Sequence, residues 1–290
     1  MQSLVLSSVL FSLSFGLIGR FLGDVDPVMV SFIRLGIAFI VFLPFLSLQG
    51  LRRCDVVVLG GIGAIQYGLM YIVYIYAFRW LSGHEVAMYT VVTPLYVCLL
   101  HAVRKRKWHG RYFAAAILAT IGGGVLVGRP GSNGLLGIML IQISNLCFAY
   151  GQVEYKFFCE RKTALGSCSE HFAILYAGGA LFAALVAVFG GHWQGFGPSF
   201  NAWVVLVYLG VVPSALGFYF WNRGARMAQA GTLAAANNLK IPLAVLVSLL
   251  VFRESVIWLR FLPGAIIVLV SLAVSCFAQV KRPFCVDVDT

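Results

Sequence analysis

The stretch from Val56 to Phe78, VVVLGGIGAIQYGLMYIVYIYAF, runs 23 residues without one charged side chain. A helix rises about 1.5 Å per residue, so about 20 apolar residues cross the hydrocarbon of a bilayer. An unsatisfied peptide group is costly there, and a helix satisfies its own groups within a single run. The stretch therefore reads as a transmembrane helix. Similar apolar runs occupy 4–22, 27–48, 56–81, 86–103, 112–128, 135–157, 171–190, 202–221, 230–251 and 258–279. The gaps between them are too short for an extramembrane domain. The first run, Leu4 to Leu22, lacks the basic start and small-residue cleavage site of a signal peptide and reads as a retained helix. The expected fold class is an all-α integral membrane protein with ten transmembrane helices.

Composition agrees. Of 290 residues, 61% are hydrophobic and 11% charged, and the mean hydropathy is +0.92. A soluble domain is about 45–50% apolar and about a quarter charged. The lipid bilayer must be the solvent for most of this surface. The net charge of +11 sits in the gaps between apolar runs, not on one basic face, which excludes nucleic acid as a partner.

Those charges also orient the chain. With the N-terminus inside, the inner loops and tail hold 14 of the 21 basic residues, among them Arg52, Arg53, Arg104 to Lys107, Arg161 and Arg223. The outer loops hold Arg20, Arg79, Arg129, Arg253 and Arg260, and two more, Arg34 and Lys240, lie inside helices. This bias predicts cytoplasmic N- and C-termini. Of the seven Cys, Cys54, Cys159, Cys168 and Cys285 fall inside and the others within helices, so no structural disulfide is expected.

The chain also reads as duplicated. A shift of 148 residues pairs Ala77 with Ala225, Gly83 with Gly231, Ala87 with Ala235, Pro94 with Pro242, Leu95 with Leu243 and Val97 with Val245. A shift of 133 pairs Leu13 with Leu146 and Phe15 with Phe148. The matches divide the chain into residues 1–130 and 131–290, five helices each. Five is odd, so the second copy enters the membrane inverted. Inverted repeats are a common plan of secondary transporters, with substrate bound near the bilayer midplane between the halves.

No Walker sequence is present, so ATP is not the direct energy source. The five His are scattered near helix ends, and neither Cys nor His follows metal-ligand spacing, so no cofactor or metal is expected. An intramembrane enzyme would gather His, Asp or Ser at one depth, and the sequence offers no such cluster.

Ionisable groups within the apolar runs carry more information, since a charge at helix centre costs about 2.5–3.5 kcal/mol on insertion scales. Lys240 lies about ten residues into the ninth run, with Asn237 on the same face and Asn238 adjacent; Pro242 follows and loosens the turn. It reads as a substrate or coupling contact, or alternatively as an interhelical bond. Arg34 in the second run pairs with a substrate carboxylate or with Asp24 or Asp26 at the outer mouth. Glu154, at the inner end of the sixth run, pairs with Lys156 or Lys162, or serves proton coupling. Gln142, Asn145, Ala149 and Gln152 make one polar and small stripe on the sixth run, fit for a cavity wall or for helix–helix glue. The third run offers Gln66, Tyr67, Tyr71 and Tyr74, and the fourth Tyr89, Thr93 and Tyr96; Tyr67, Tyr71 and Tyr89 are the deeper aromatics. Gly210, Ser214 and Gly217 in the eighth run, with Gly122 to Gly124 in the fifth, read as close-packing positions.

Several strings then resemble a known group. They include Val25-Asp26, Arg34-Leu35-Gly36, Phe42-Leu43-Pro44-Phe45, Gln66 through Tyr71 and Thr93-Pro94-Leu95-Tyr96. Others are Ser144-Asn145 after Gln142, Leu209-Gly210-Val211-Val212, Trp221-Asn222, Ala230-Gly231-Thr232-Leu233, Asn237-Asn238 and Pro242. Over roughly 5–280 the chain resembles the drug/metabolite transporter superfamily in its EamA family, and within it the bacterial biotin importers. The resemblance implies a gradient-driven carrier in the bacterial inner membrane, with protons as the candidate coupling ion. It favours Arg34, Asn145, Asn237 and Asn238 as site residues, beside Gln66, Tyr71, Gln142 and Lys240 from the reading above. The expected substrate is biotin or a similar small carboxylate, for which Lys240 or Arg34 supplies a cation and the Asn side chains match a ureido ring. An amino-acid or amine exporter and an S-adenosylmethionine carrier are the alternatives within the class.

Overall fold

The computed structural model describes residues 2–106, 134–161, 168–191 and 197–227, together with scattered positions that include Asn237 and residues 240–244. The expected fifth, ninth and tenth runs fall largely outside the described residues. The other seven are helices, long and apolar enough to cross a membrane. In chain order, α1 spans Gln2–Phe21 and α2 spans Pro27–Phe42, closed by a 3₁₀ turn at Leu43–Phe45. Helix α3 runs Arg53–Gly63, passes through a π turn at Ala64–Leu69 and continues as Met70–Ala77. Helix α4 joins Gly83–Tyr89 to Thr93–Lys105 through a 3₁₀ turn. Helices α5 (Gly134–Arg161) and α6 (Cys168–Gly190) match the sixth and seventh runs. Helix α7 starts at Phe200–Leu209, has a π turn at Gly210–Gly217 and ends in Phe218–Met227. No strand occurs among the described residues.

Local chemistry sets several helix starts. The Asp26 carboxylate accepts from the N–H groups of Val28 and Met29 at 3.0 and 3.1 Å, and Pro27 follows with its φ already helical. Asp26 is thereby the cap of α2, and Arg34, eight residues on, finds its partners elsewhere. Glu85 accepts from the Ser82 N–H at 2.8 Å in a capping box that starts α4.

The described residues put large apolar side chains on the outside and enclose a set of polar ones within. Ile40, Val57, Leu181, Phe189 and Phe200 are mostly exposed, whereas Ser31, Arg34, Gln66, Thr93, Asn145 and Asn222 are buried. That inversion suits a lipid solvent. Helix α6 packs against α2 and α3, α5 against α3 and α4, and α1 against α7. Where α3 meets α6 the backbones touch: a Cβ on Gly63 would lie 1.9 Å from the Leu175 carbonyl oxygen, and one on Gly178 2.0 Å from that of Gly60. Small residues let membrane helices approach this closely.

Both π turns redirect a hydrogen bond. An α-helix would aim the Met70 N–H at the Gln66 carbonyl, but it reaches Ile65 and Tyr67 instead. Likewise the Phe218 N–H passes over Ser214 and takes the Ala215 carbonyl, within a turn that holds Pro213.

Candidate functional site

Helices α1 to α5 and α7 leave a cavity between them, completed by Asn237 and Lys240. Its cationic side begins with Arg34 of α2, only 2% exposed. The guanidinium donates to Ser214 Oγ from Nε at 3.3 Å and from Nη2 at 3.1 Å, and Nη2 also reaches the Tyr71 hydroxyl at 3.4 Å. Tyr71 in turn donates to Ser214 Oγ at 2.9 Å. The guanidinium carbon lies 4.5 Å from the Tyr71 ring centroid, a cation–π contact. With one edge so engaged, Arg34 Nη1 is buried and has no hydrogen-bond partner.

Also on the lining, Lys240 Nζ donates to Asn237 Oδ1 at 3.1 Å and sits 5.9 Å from the Phe148 ring centroid. Asn237 Nδ2 is buried without a partner. Asn145 spends its amide N–H groups on the Tyr89 carbonyl at 3.0 Å and on Gln142 Oε1 at 3.4 Å, which turns its Oδ1 into the group available as an acceptor. Thr90, Thr93, Ser14 and Ser144 add small polar groups, while Phe11, Phe15, Phe148 and Phe218 supply apolar wall. Two cations face the cavity, and no Asp or Glu is among the described residues that line it. Such a space attracts an anion, because each unpaired charge at this depth is costly.

The EamA-like transporter family matches this chain twice, over residues 2–129 and 135–277. The chain belongs to that family. It is a multi-pass membrane transporter, not an enzyme. Among similar proteins, the biotin transporter of Salmonella typhimurium (strain LT2) is 36% identical over 279 residues, which cover 94% of this chain and 91% of that protein. The biotin transporter of Escherichia coli (strain K12) is 35% identical over 277 residues, with the same coverage of 94% and 91%. The probable biotin transporter of Pseudomonas aeruginosa is 33% identical, covering 95% of this chain and 97% of that one. A solved chain, named only as the crystal structure of a protein, aligns with a TM-score of 0.73 over 97% of this chain and 96% of its own. At 18% identity it supports the fold alone.

Within this family member the sequence-picked residues divide. Arg34, Tyr71, Asn145, Asn237 and Lys240 line one cavity. Gln142 stands behind the wall, where its Oε1 takes the Tyr96 hydroxyl at 3.2 Å and its Nε2 reaches the Tyr89 carbonyl at 3.4 Å. Gln66 is fully buried against Gly151 of α5, its amide atoms without partners, and does not line the cavity. Asn238 lies outside the described residues, as do Gly122 to Gly124. The expected partners of two charges change. Arg34 binds Ser214 and Tyr71, not Asp24 or Asp26, because Asp26 turns to cap α2. Glu154 pairs with Arg104 at 3.1 Å, both side chains partly exposed, because α4 and α5 run side by side there; Lys162, one of its expected partners, lies outside the described residues. The deep tyrosines also part: Tyr71 faces the cavity, while Tyr67 stacks on Tyr176 at 4.8 Å between ring centroids and accepts from Asn222 at 3.0 Å. Ser214, which reads in the sequence as a close-packing position, is the hub of the Arg34 cluster. Pro213 beside it, between two glycines, was the available signal, since interrupted helices mark transporter sites.

Proposed function

We propose that this chain imports biotin, or a close monocarboxylate relative, across a bacterial inner membrane by alternating access. The observation that carries the reading is the cavity with two cations, no acid among its described lining, and one unpartnered donor on Arg34. Biotin makes three demands: a cation for its carboxylate, an acceptor and donors for its ureido ring, and apolar walls for its valeryl chain. Arg34 and Lys240 answer the first, Asn145 Oδ1 and Asn237 Nδ2 the second, and the four Phe the third. The curated relatives named as biotin transporters, 33–36% identical over most of their length, favour this ligand over other carboxylates. An amine or amino-acid exporter would want an acid in the cavity, and Glu154 pairs with Arg104 and is not among its described lining. Proton coupling at Glu154 would therefore act from outside the cavity.

Two observations support ten helices in two inverted halves divided near residue 130. The family matches twice, once on each side of that point. The π turns of α3 and α7 also bypass the carbonyls of Gln66 and Ser214, residues 148 apart, the same shift that aligns the sequence with itself. Cytoplasmic termini follow from the basic inner loops.

The test is uptake of radiolabelled biotin at nanomolar concentration into cells lacking their own importer. Wild type, Lys240→Ala and Asn145→Ala are compared at matched membrane levels. Uptake by wild type that either variant abolishes is the expected result. No uptake by a well-inserted wild type would sink the biotin reading.

A further inference from the structure

We propose that Ser214 is a positioning residue for acid recognition: it holds Arg34 so that Nη1 faces the ligand, and thereby sets the preference for a carboxylate over its neutral amide. This rests on the carboxylate reading above. Ser214 is fully buried, in the middle of a membrane helix, and its Oγ accepts from both Nε and Nη2 of Arg34 and from the Tyr71 hydroxyl. A serine that served only for close packing would return its hydroxyl to a carbonyl of its own helix. Ser8 and Ser31 do so, bonding to Leu4 and Pro27 at 2.9 and 2.7 Å. Ser214 instead faces a cation on another helix.

Its own position is fixed from the backbone side. The π turn steers the Phe218 N–H to Ala215, and the Ser214 carbonyl receives the Tyr176 hydroxyl of α6. Arg34 and Tyr71 at its hydroxyl and Tyr176 at its carbonyl thus tie α2, α3, α6 and α7 together around one serine. An arginine side chain has many rotamers, and a ligand that binds it must otherwise freeze them. Fixing its Nε edge before the ligand arrives removes most of that cost from binding. Only a ligand that uses Nη1 gains from the arrangement, so the effect is selective for the acid.

The experiment measures inhibition constants of unlabelled biotin and of biotin amide against labelled biotin uptake, for wild type and Ser214→Ala. An inhibition constant does not depend on how much protein reaches the membrane. The expected result is a rise of about tenfold in the constant for biotin, about 1.4 kcal/mol, with less than a twofold change for the amide. Equal change for both ligands, or none, overturns the positioning role and leaves biotin transport standing. Should Ser214→Ala not reach the membrane, Tyr176→Phe is read the same way, because it releases the Ser214 carbonyl. An acid-selective loss there supports the proposal, and an equal loss overturns it. If wild type takes up no biotin, the biotin reading falls and this proposal falls with it.

Discussion

At the scale of single residues, Arg34 does two things with one planar group: it bonds Ser214 along one edge and leaves Nη1 bare. Lysine has the same charge but is a point donor on a flexible stem, unable to hold a fixed edge and present another. Arg34→Lys is therefore expected to lose at least tenfold in biotin uptake at unchanged membrane level, measured as initial rate. Retained uptake would reduce Arg34 to a diffuse positive charge. Glu154 lies at the other extreme. Its pair with Arg104 is half-exposed, and such pairs contribute about 0–1 kcal/mol. Glu154→Gln should keep both the rate of uptake and its dependence on external pH, and loss of the pH dependence would put proton coupling on this carboxylate. The contrast explains what the sequence could disclose. A cation deep in an apolar run has no inexpensive reason to be there, so Arg34 and Lys240 stand out without any structure. Amides are more ambiguous. Gln142 and Asn145 share a helix face, yet one bonds behind the wall and the other reaches the cavity, because spacing names a face but not the neighbour it meets. Ser214 was harder still: serine is common in membrane helices, and the π turn shifts the register on which helical phase is counted.

Helices were legible for a different reason. Hydropathy decides where a chain can cross lipid, and seven of the expected runs are helices close to their predicted bounds, such as 56–81 against Arg53–Ala77. The π turns escaped this reading because hydropathy says nothing about which carbonyl an N–H selects. The α3–α6 crossing offers a sharp test of element packing. A Cβ on Gly178 would lie 2.0 Å from the Gly60 carbonyl oxygen, so Gly178→Ala must push two backbones apart. Overpacking of this kind costs about 1–3 kcal/mol. A Cβ on Gly60 itself meets nothing within 4 Å, and alanine is the better helix former by about 1 kcal/mol. In detergent, Gly178→Ala should lower the unfolding temperature by several degrees, while Gly60→Ala leaves it unchanged or slightly raised. Equal effects would mean that α3 and α6 do not cross through these glycines.

For the whole molecule, the proposed inverted halves depend on the parity of crossings, and two exposed positions can count them. Cys54 stands exposed at the start of α3, and Gly197 is exposed just before α7. Between them the described chain crosses by α3, α4, α5 and α6. Those four spans alone would return Gly197 to the side of Cys54. The apolar run at 112–128 adds a fifth crossing in the ten-helix plan and puts the two positions on opposite faces. Charge chooses which face is which: Arg52 and Arg53 flank Cys54, and basic loops stay in the cytoplasm. The check uses two variants, one retaining Cys54 as its single cysteine and one carrying Gly197→Cys as its single cysteine. Each is treated with a membrane-impermeant maleimide in spheroplasts and in inside-out vesicles. Cys54 should react only in the vesicles and the cysteine at 197 only in the spheroplasts. If both react in the same preparation, the fifth run does not cross, the halves have unequal numbers of helices, and the inverted repeat fails. If both react on the opposite faces from those expected, the repeat survives but the termini lie outside, and the cavity would have to be loaded from the other direction.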